Sequence, residues 1–469
     1  MPDREPIADL AIVGGTVLPM VRNARETIRA TVLVRDGRIV GLTRQRKPRA
    51  KEILDAHGKL VMPGFVDAHC HGIHLLMRGL SDGLSYHDWL ERLMYRALPA
   101  YRAADALVAS KLFCAEAIRS GITTIGDSTD FGNRADLVEA TLEGITAAGI
   151  RALYFRNFSD APPRALRANR EPAARALADI AALMDRRGSD NPLLRIGAGV
   201  NEAHFVTVGG FRRAVELVEA RDTRLMVHLA EVEADVQIDG INVVDWMRRN
   251  RLLSSRLVAA HCVWLRPPQL RTLAAAGVSV TWQPSTNAFL ADGVMPLREV
   301  LAAGITVGLG TDDTNASDHV NMFTEMRTGA MSTKLRERDG TAVSPDTMLT
   351  LATRGGARVL GLDREVGAIS PGRAADLIVI DLAALAPFHD LPSALVYQAT
   401  GAEVETVVIG GRVVMRDRML VTLDEVALRA QAHKAALGVA KRSGVVSSRA
   451  EGYADAAQYL FSQEPDEPN

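Results

Sequence analysis

Apolar residues recur along this chain with two different periods. Near both ends they alternate with polar residues in short runs: Ala8–Gly15, Ala30–Val34 and Arg38–Leu42 first, then Ala375–Ile380, Val404–Ile409 and Arg412–Met415. Period-two alternation predicts strands with one buried face. Asp36-Gly37 and Gly410-Gly411 are the turn residues expected between neighbouring strands. Two strand-rich pieces, residues 1–61 and 367–422, thus predict a small β-sandwich assembled from both chain ends.

The middle, residues 62–366, reads differently. Short, largely apolar runs (Gly64–Ala68, Gly121–Asp127, Arg151–Phe158, Arg195–Asn201, Arg224–Leu229, Arg256–Cys262, Val278–Gln283 and Ile305–Gly310) predict eight buried strands. Between them lie segments of helical period: Ala103–Arg119, Ala135–Ala148, Ala173–Arg186, Gly210–Ala220, Pro268–Ala276 and Leu297–Ala303. Strands alternating with helices imply parallel crossovers, so the fold class is α/β and the middle predicts a (β/α)8 TIM barrel. A helix-like stretch, Leu423–Ala440, and an acidic tail to Asn469 make up residues 423–469. They could cover the barrel or pair subunits.

Composition changes this picture little. The 469 residues are 47% hydrophobic and 24% charged with formal net charge -1, which fits a soluble globular protein and gives no reason to expect nucleic acid. No apolar run reaches the length of a membrane span, and Met1–Pro6 is charged where a leader would be apolar. Three cysteines without a Cys-x-x-Cys pair suit a reducing compartment, so a cytoplasmic location is expected.

A barrel makes a sharp demand on chemistry, because functional side chains belong at the C-terminal ends of its strands. His69 and His71 close the first strand with i, i+2 spacing, which puts both imidazoles on one face. Alone, His-x-His reads equally as a polar strand end with hydrogen-bonded rings. But His228 and Glu231 end the fifth strand, His261 the sixth and Asp312 the eighth. Four of 11 histidines gathered with carboxylates at strand ends point to a divalent-metal centre.

These residues carry a resemblance. Pro63-Gly64-Phe65-Val66-Asp67-Ala68-His69-Cys70-His71, the block His228-Leu229-Ala230-Glu231, His261 and Gly310-Thr311-Asp312 resemble the amidohydrolase superfamily. The segment His71–Leu90 is similar to its deaminase and triazine-hydrolase branch, and Gly367–Leu377 to its return into a β-sandwich. The resemblance implies one catalytic zinc ion, or iron(II) in its place, held by His69, His71, His228 and Asp312. It implies Glu231 and His261 as catalytic partners, with Asp312 also serving as base. Binuclear relatives bridge two metals through a fourth-strand lysine, yet no lysine occurs between Lys111 and Lys334. A bridge through Glu202, near that strand's end, is the alternative to a single ion.

Substrate contacts are expected from His204, Arg78, Trp89, Trp282 and Asp313, although Arg78 and Trp89 could equally pack the first helix. Asp313 could instead cap a helix beginning near Val320. His74 is expected to pack locally, His57, His87, His389 and His433 to be structural or exposed, and Cys70 and Cys262 to be small core residues. The implied activity is hydrolysis of a C–N bond, with an N-heterocycle losing its amino group as ammonia. Alternatives are a triazine-type or cyclic-amide hydrolase with another leaving group, and a noncatalytic metal-binding scaffold. Neither nucleic acid nor membrane is expected as a partner, and family habit suggests a dimer or tetramer.

Overall fold

The computed structural model describes residues 8–45, 48–129 and 131–445, so the expected acidic tail lies outside the described residues. The two chain ends build one sheet of nine strands. The first five strands are β1 (Ala8–Val17), β2 (Ile28–Arg35), β3 (Arg38–Thr43), β4 (Ala50–Asp55) and β5 (Lys59–Pro63). Asp36 and Gly37 turn β2 into β3 with φ of 50° and 74°, the positive pair that a two-residue hairpin of matching twist needs. The alternation-based reading did not include β4 and β5, which run parallel to successive halves of β1. Lys51, Glu52 and the apolar Ile53 of β4 are all exposed at a sheet edge, so the strand carries no period-two signal.

The barrel follows without a break. Its strands are β6 (Phe65–His71), β7 (Ile122–Thr129), β8 (Arg151–Asn157), β9 (Leu194–Glu202) and β10 (Leu225–Leu229). A small hairpin, β11 (Gln237–Ile238) and β12 (Ile241–Asn242), leads to β13 (Leu257–His261), β14 (Ser279–Trp282), β15 (Val307–Leu309) and β16 (Asp312–Asp313). Neighbours from β6 to β15 pair in parallel, and β16 pairs back onto β6, Asp312 opposite Cys70. The last two strands are halves of the expected eighth, bent at Gly310-Thr311, so the sheet closes into a TIM-like barrel. Gly310 is required there, because a Cβ would run into the His69 carbonyl oxygen.

Helices cover the barrel's outer face much as their period predicts: Ala103–Arg119 and Ala135–Ala148 match the expected bounds, while the next extends to Asp190. The chain returns through β17 (Leu377–Asp381), β18 (Val404–Ile409), β19 (Arg412–Arg416) and β20 (Met419–Leu420), with β17 pairing β5. The last helix, Glu425–Ser443, is capped by Asp424. It is held against the Ala103–Arg119 helix by Arg429–Glu116, Arg119–Glu425 and Arg442–Asp105 pairs. Buried Arg151 joins the barrel to the terminal sheet, its guanidinium bridging both carboxylate oxygens of Asp376 at 2.7 and 3.0 Å.

Candidate metal centre and active site

His69 and His71 sit within β6, every residue of which is buried. Strand periodicity turns both rings to one face, and closure of the barrel brings the ends of β10, β13 and β16 to the same point. His69, His71, His228 and Asp312 gather so that one ligand atom from each lies within 4.8 Å of the others. His69 Nε2 is 3.1 Å and His71 Nε2 3.7 Å from Asp312 Oδ1.

Hydrogen bonds outside the cluster decide what its atoms offer. His71 Nδ1 lies 2.9 Å from the Ser128 carbonyl oxygen and His228 Nδ1 lies 2.7 Å from that of Asn201. A carbonyl oxygen only accepts, so each Nδ1 is the protonated nitrogen and each Nε2 carries a lone pair. Those two Nε2 atoms are 3.2 Å apart. Two lone pairs facing one another in a buried site repel, and a cation coordinated by both reconciles them. The donor set, three imidazoles and a carboxylate, fits zinc or iron(II).

The backbone is strained at these positions. Ala230, between His228 and Glu231, has φ 50°, while His261 and Asp312 have φ 70° and 59°. Left-handed conformations at non-glycine residues cost about 1–3 kcal/mol each and persist where surrounding contacts impose them. Gln283 Oε1 accepts from the His261 amide at 3.1 Å, and Asp67 holds the amide and hydroxyl of Thr311, next to Asp312, at 3.0 and 2.5 Å. Asp67 also accepts from the His69 amide at 3.3 Å, which latches the first strand to the eighth. Burial pushes the Asp67 carboxyl up to about 7.

Glu231 and His261 stand beside the cluster, with His261 Nε2 3.5 Å from Glu231 Oε2 and 4.0 Å from Asp312 Oδ2. Burial, and then the Asp292 and Asp312 carboxylates, push the Glu231 carboxyl well up. Burial keeps the His261 ring neutral. Both face a cavity whose walls are mainly apolar, among them Tyr86, Trp89, Leu90, Met94, Leu98 and Phe205. Asn201, Glu202, Asp313 and His74 supply its polar surface.

The expected substrate contacts divide. Trp89 lines the cavity and donates to Asn315 Oδ1 at 3.3 Å. Asp313 lines it as well, paired with His74 Nδ1, so His74 faces the cavity where local packing was expected. The Asp313 side chain caps no helix; Asn321 caps the Met322–Glu337 helix. Arg78 is no cavity residue: it pairs with Glu116 on the first long helix at 2.7 Å. His204, between two wall residues, turns its side chain out to an exposed position and packs against Phe205, so Glu202 and Phe205 stand where it was expected. Trp282 is buried against Gly329 of the Met322–Glu337 helix and is not among the residues lining the site cavity. Glu202 belongs to none of the metal-binding groups among the described residues. Sequence reading gave no role to Asp67, Gln283, Asn287 and Asp292. A charged residue inside the otherwise apolar run Phe65–Ala68 was the one available signal.

Comparison with known proteins places this geometry. Residues 60–414 match the model of the Amidohydrolase family. The 5'-deoxyadenosine deaminase of Methanothermobacter thermautotrophicus is 30% identical over 415 residues, 87% of this chain and 94% of that protein. The 5-methylthioadenosine/S-adenosylhomocysteine deaminase of Syntrophobacter fumaroxidans is 34% identical over 427 residues, 89% of this chain and 95% of that protein. Among solved structures, an adenosine deaminase from Xanthomonas campestris with bound zinc superposes with a TM-score of 0.86 at 28% identity, covering 93% of this chain and 100% of that one. The chain belongs to the amidohydrolase family and is a hydrolase of carbon–nitrogen bonds.

Proposed function

We propose that this protein is a mononuclear zinc-dependent deaminase acting on the adenine ring of nucleosides, with His69, His71, His228 and Asp312 as the metal ligands. The observation that carries this reading is the convergence of those four side chains, two of which, His71 and His228, line one largely apolar cavity together with Glu231 and His261. The adenine-nucleoside substrates named for the relatives support the substrate class. Absence of lysine between Lys111 and Lys334, and of Glu202 from the cluster, supports a single ion over a bridged pair.

A divalent ion held by His69, His71, His228 and Asp312 would lower the pKa of bound water toward neutrality and so supply a nucleophile. Asp312 would take the proton that the attacking water gives up. Glu231 holds a proton at its carboxyl and passes it to the ring nitrogen beside the carbon under attack. His261 Nε2–H donates to the developing oxyanion. Asp312 would return its proton to the amino group as ammonia leaves, the proton of the added hydroxyl would pass to Glu231, and the apolar walls exclude other water.

The remaining readings belong to the same proposal. A separate apolar core shared by Leu10, Val32, Ile39, Val61, Leu377 and Val408 supports closure of the terminal sheet into a sandwich, with the barrel at 62–366. Three free, buried cysteines suit a cytoplasmic protein. No helix among the described residues is long and apolar enough to cross a membrane. Exposed Met331 and Leu335 on the Met322–Glu337 helix support a homo-oligomer, readable by light scattering.

The test is ammonia release from adenosine, 5'-deoxyadenosine, 5'-methylthioadenosine, S-adenosylhomocysteine, free purines, cytosine and aminotriazines, with zinc-loaded and metal-stripped protein. Turnover of the adenine nucleosides by the zinc form alone is expected. Turnover confined to triazines would move the substrate to the second branch, and a flat response with zinc bound would leave a scaffold.

A further inference from the structure

His261 differs from the metal-binding histidines in what its second ring nitrogen meets. His71 and His228 each point Nδ1 at a carbonyl oxygen, an acceptor. His261 instead points Nδ1 at the side-chain nitrogen of Asn287, 3.1 Å away, a donor. The same Asn287 nitrogen is 3.2 Å from Asp292 Oδ2. That second contact sets which way the amide faces, because a flipped amide would turn its carbonyl oxygen onto the carboxylate. Asn287, Asp292 and His261 are all buried, so water offers no substitute.

We propose that Asn287, oriented by Asp292, is a positioning residue that fixes His261 in the tautomer protonated on Nε2, opposite to the tautomer of His71 and His228. Asn287 donates one hydrogen to His261 Nδ1, so the single proton of the neutral ring sits on Nε2. That is the atom 3.5 Å from Glu231 Oε2, on the cavity side. Gln283 holds the His261 backbone by its amide at 3.1 Å and so sets the ring's origin, while Asn287 sets its proton. The Asp292 carboxylate also stands near enough to Glu231 to help push its carboxyl up, so Glu231, Asp292, Asn287 and His261 form one cluster. His261 is therefore oriented from one short loop, Asn287–Asp292, just beyond β14. The pattern Thr286-Asn287-Ala288-Phe289-Leu290-Ala291-Asp292 gives the loop a helical turn, placing Asn287 and Asp292 five residues apart with Asp292 N bonded back to Asn287 O at 2.9 Å.

This inference rests on the role given to His261 in the proposed function, but its first test does not use activity. Selective 15N-histidine NMR of the zinc-loaded protein, with His261 identified by its loss in His261→Gln, reads which ring nitrogen carries hydrogen. The expected result is a protonated Nε2 and a bare Nδ1 for His261, with the reverse for His71 and His228. In Asn287→Asp the new carboxylate accepts from Nδ1–H and the His261 pattern should invert. A protonated Nδ1 in the wild-type protein would overturn the proposal. Kinetics then follow on the best nucleoside of the panel. Asn287→Asp should lower kcat on the order of 10²-fold, with KM and bound zinc near wild type, and Asn287→Gln should recover part of the loss. An unchanged kcat in Asn287→Asp with an inverted tautomer would also overturn it. Should no substrate be found, the deaminase reading fails while the NMR result still decides the tautomer.

Discussion

Replacing Thr311 by Val tests how the barrel's closure sets the metal site. Thr311 sits between Gly310 and Asp312, and its hydroxyl donates to Asp67 Oδ2 at 2.5 Å while its amide donates to Oδ1 at 3.0 Å. Valine keeps the shape and the amide bond but removes the hydroxyl, leaving one oxygen of a fully buried carboxylate with a donor fewer. Leaving a buried polar atom without its partner costs about 1–3 kcal/mol. Part of that loss should appear as global instability, a fall in Tm of a few degrees. The rest should appear at the metal, because the latch holds Asp312 in its left-handed conformation at φ 59°. Losing a partner that orients a ligand typically weakens metal binding about 10–100-fold. That factor corresponds to about 1.4–2.8 kcal/mol, the same size as the bond removed. Zinc competition against a chromogenic chelator measures it directly, beside a thermal melt of the stripped protein. Zinc affinity within twofold of wild type, with the melt lowered as expected, would show that Asp67 and Thr311 hold the barrel but do not position Asp312.

Further outcomes are expected elsewhere. Glu231→Gln should cut turnover by about 10²–10⁴-fold while zinc measured by elemental analysis stays stoichiometric; loss of zinc would contradict the proton-carrying role. Arg151→Leu leaves the buried Asp376 carboxylate without its cation and should cost about 3–5 kcal/mol in chemical denaturation, and a loss below 1 kcal/mol would refute the ion pair's place in joining sheet and barrel. His319 is held neutral by burial, its pKa lowered from 6.5 to about 4. The unfolded chain therefore binds the extra proton between those values, so stability falls as pH drops from 6.5 toward 4, by about 3 kcal/mol for this one group. Denaturation midpoints of His319→Gln across that window should fall less than wild type, and parallel curves would refute the assignment.

Much of this protein is determined locally. Period two brings His69 and His71 to one face, and strand–helix alternation names the barrel. The rule that barrel chemistry lives at strand ends selects His228, Glu231, His261 and Asp312. Each of those inferences needs only residues a few positions apart. Other features depend on what distant segments bring to one place. Arg78 faces Glu116 and not the cavity because the first long helix passes there, and Trp282 turns outward to fill the space that Gly329 leaves. The cavity wall moves from His204 to Glu202 and Phe205 because β9 runs through Glu202 before the chain turns. Asp67, Gln283 and Asn287 look like ordinary polar residues in the sequence, since hydrogen-bond partners as far as 244 residues away leave no periodic trace. Local spacing assigns residues to faces and ends of strands; only closure of the barrel decides which atom of each side chain meets which, and so where the protons rest.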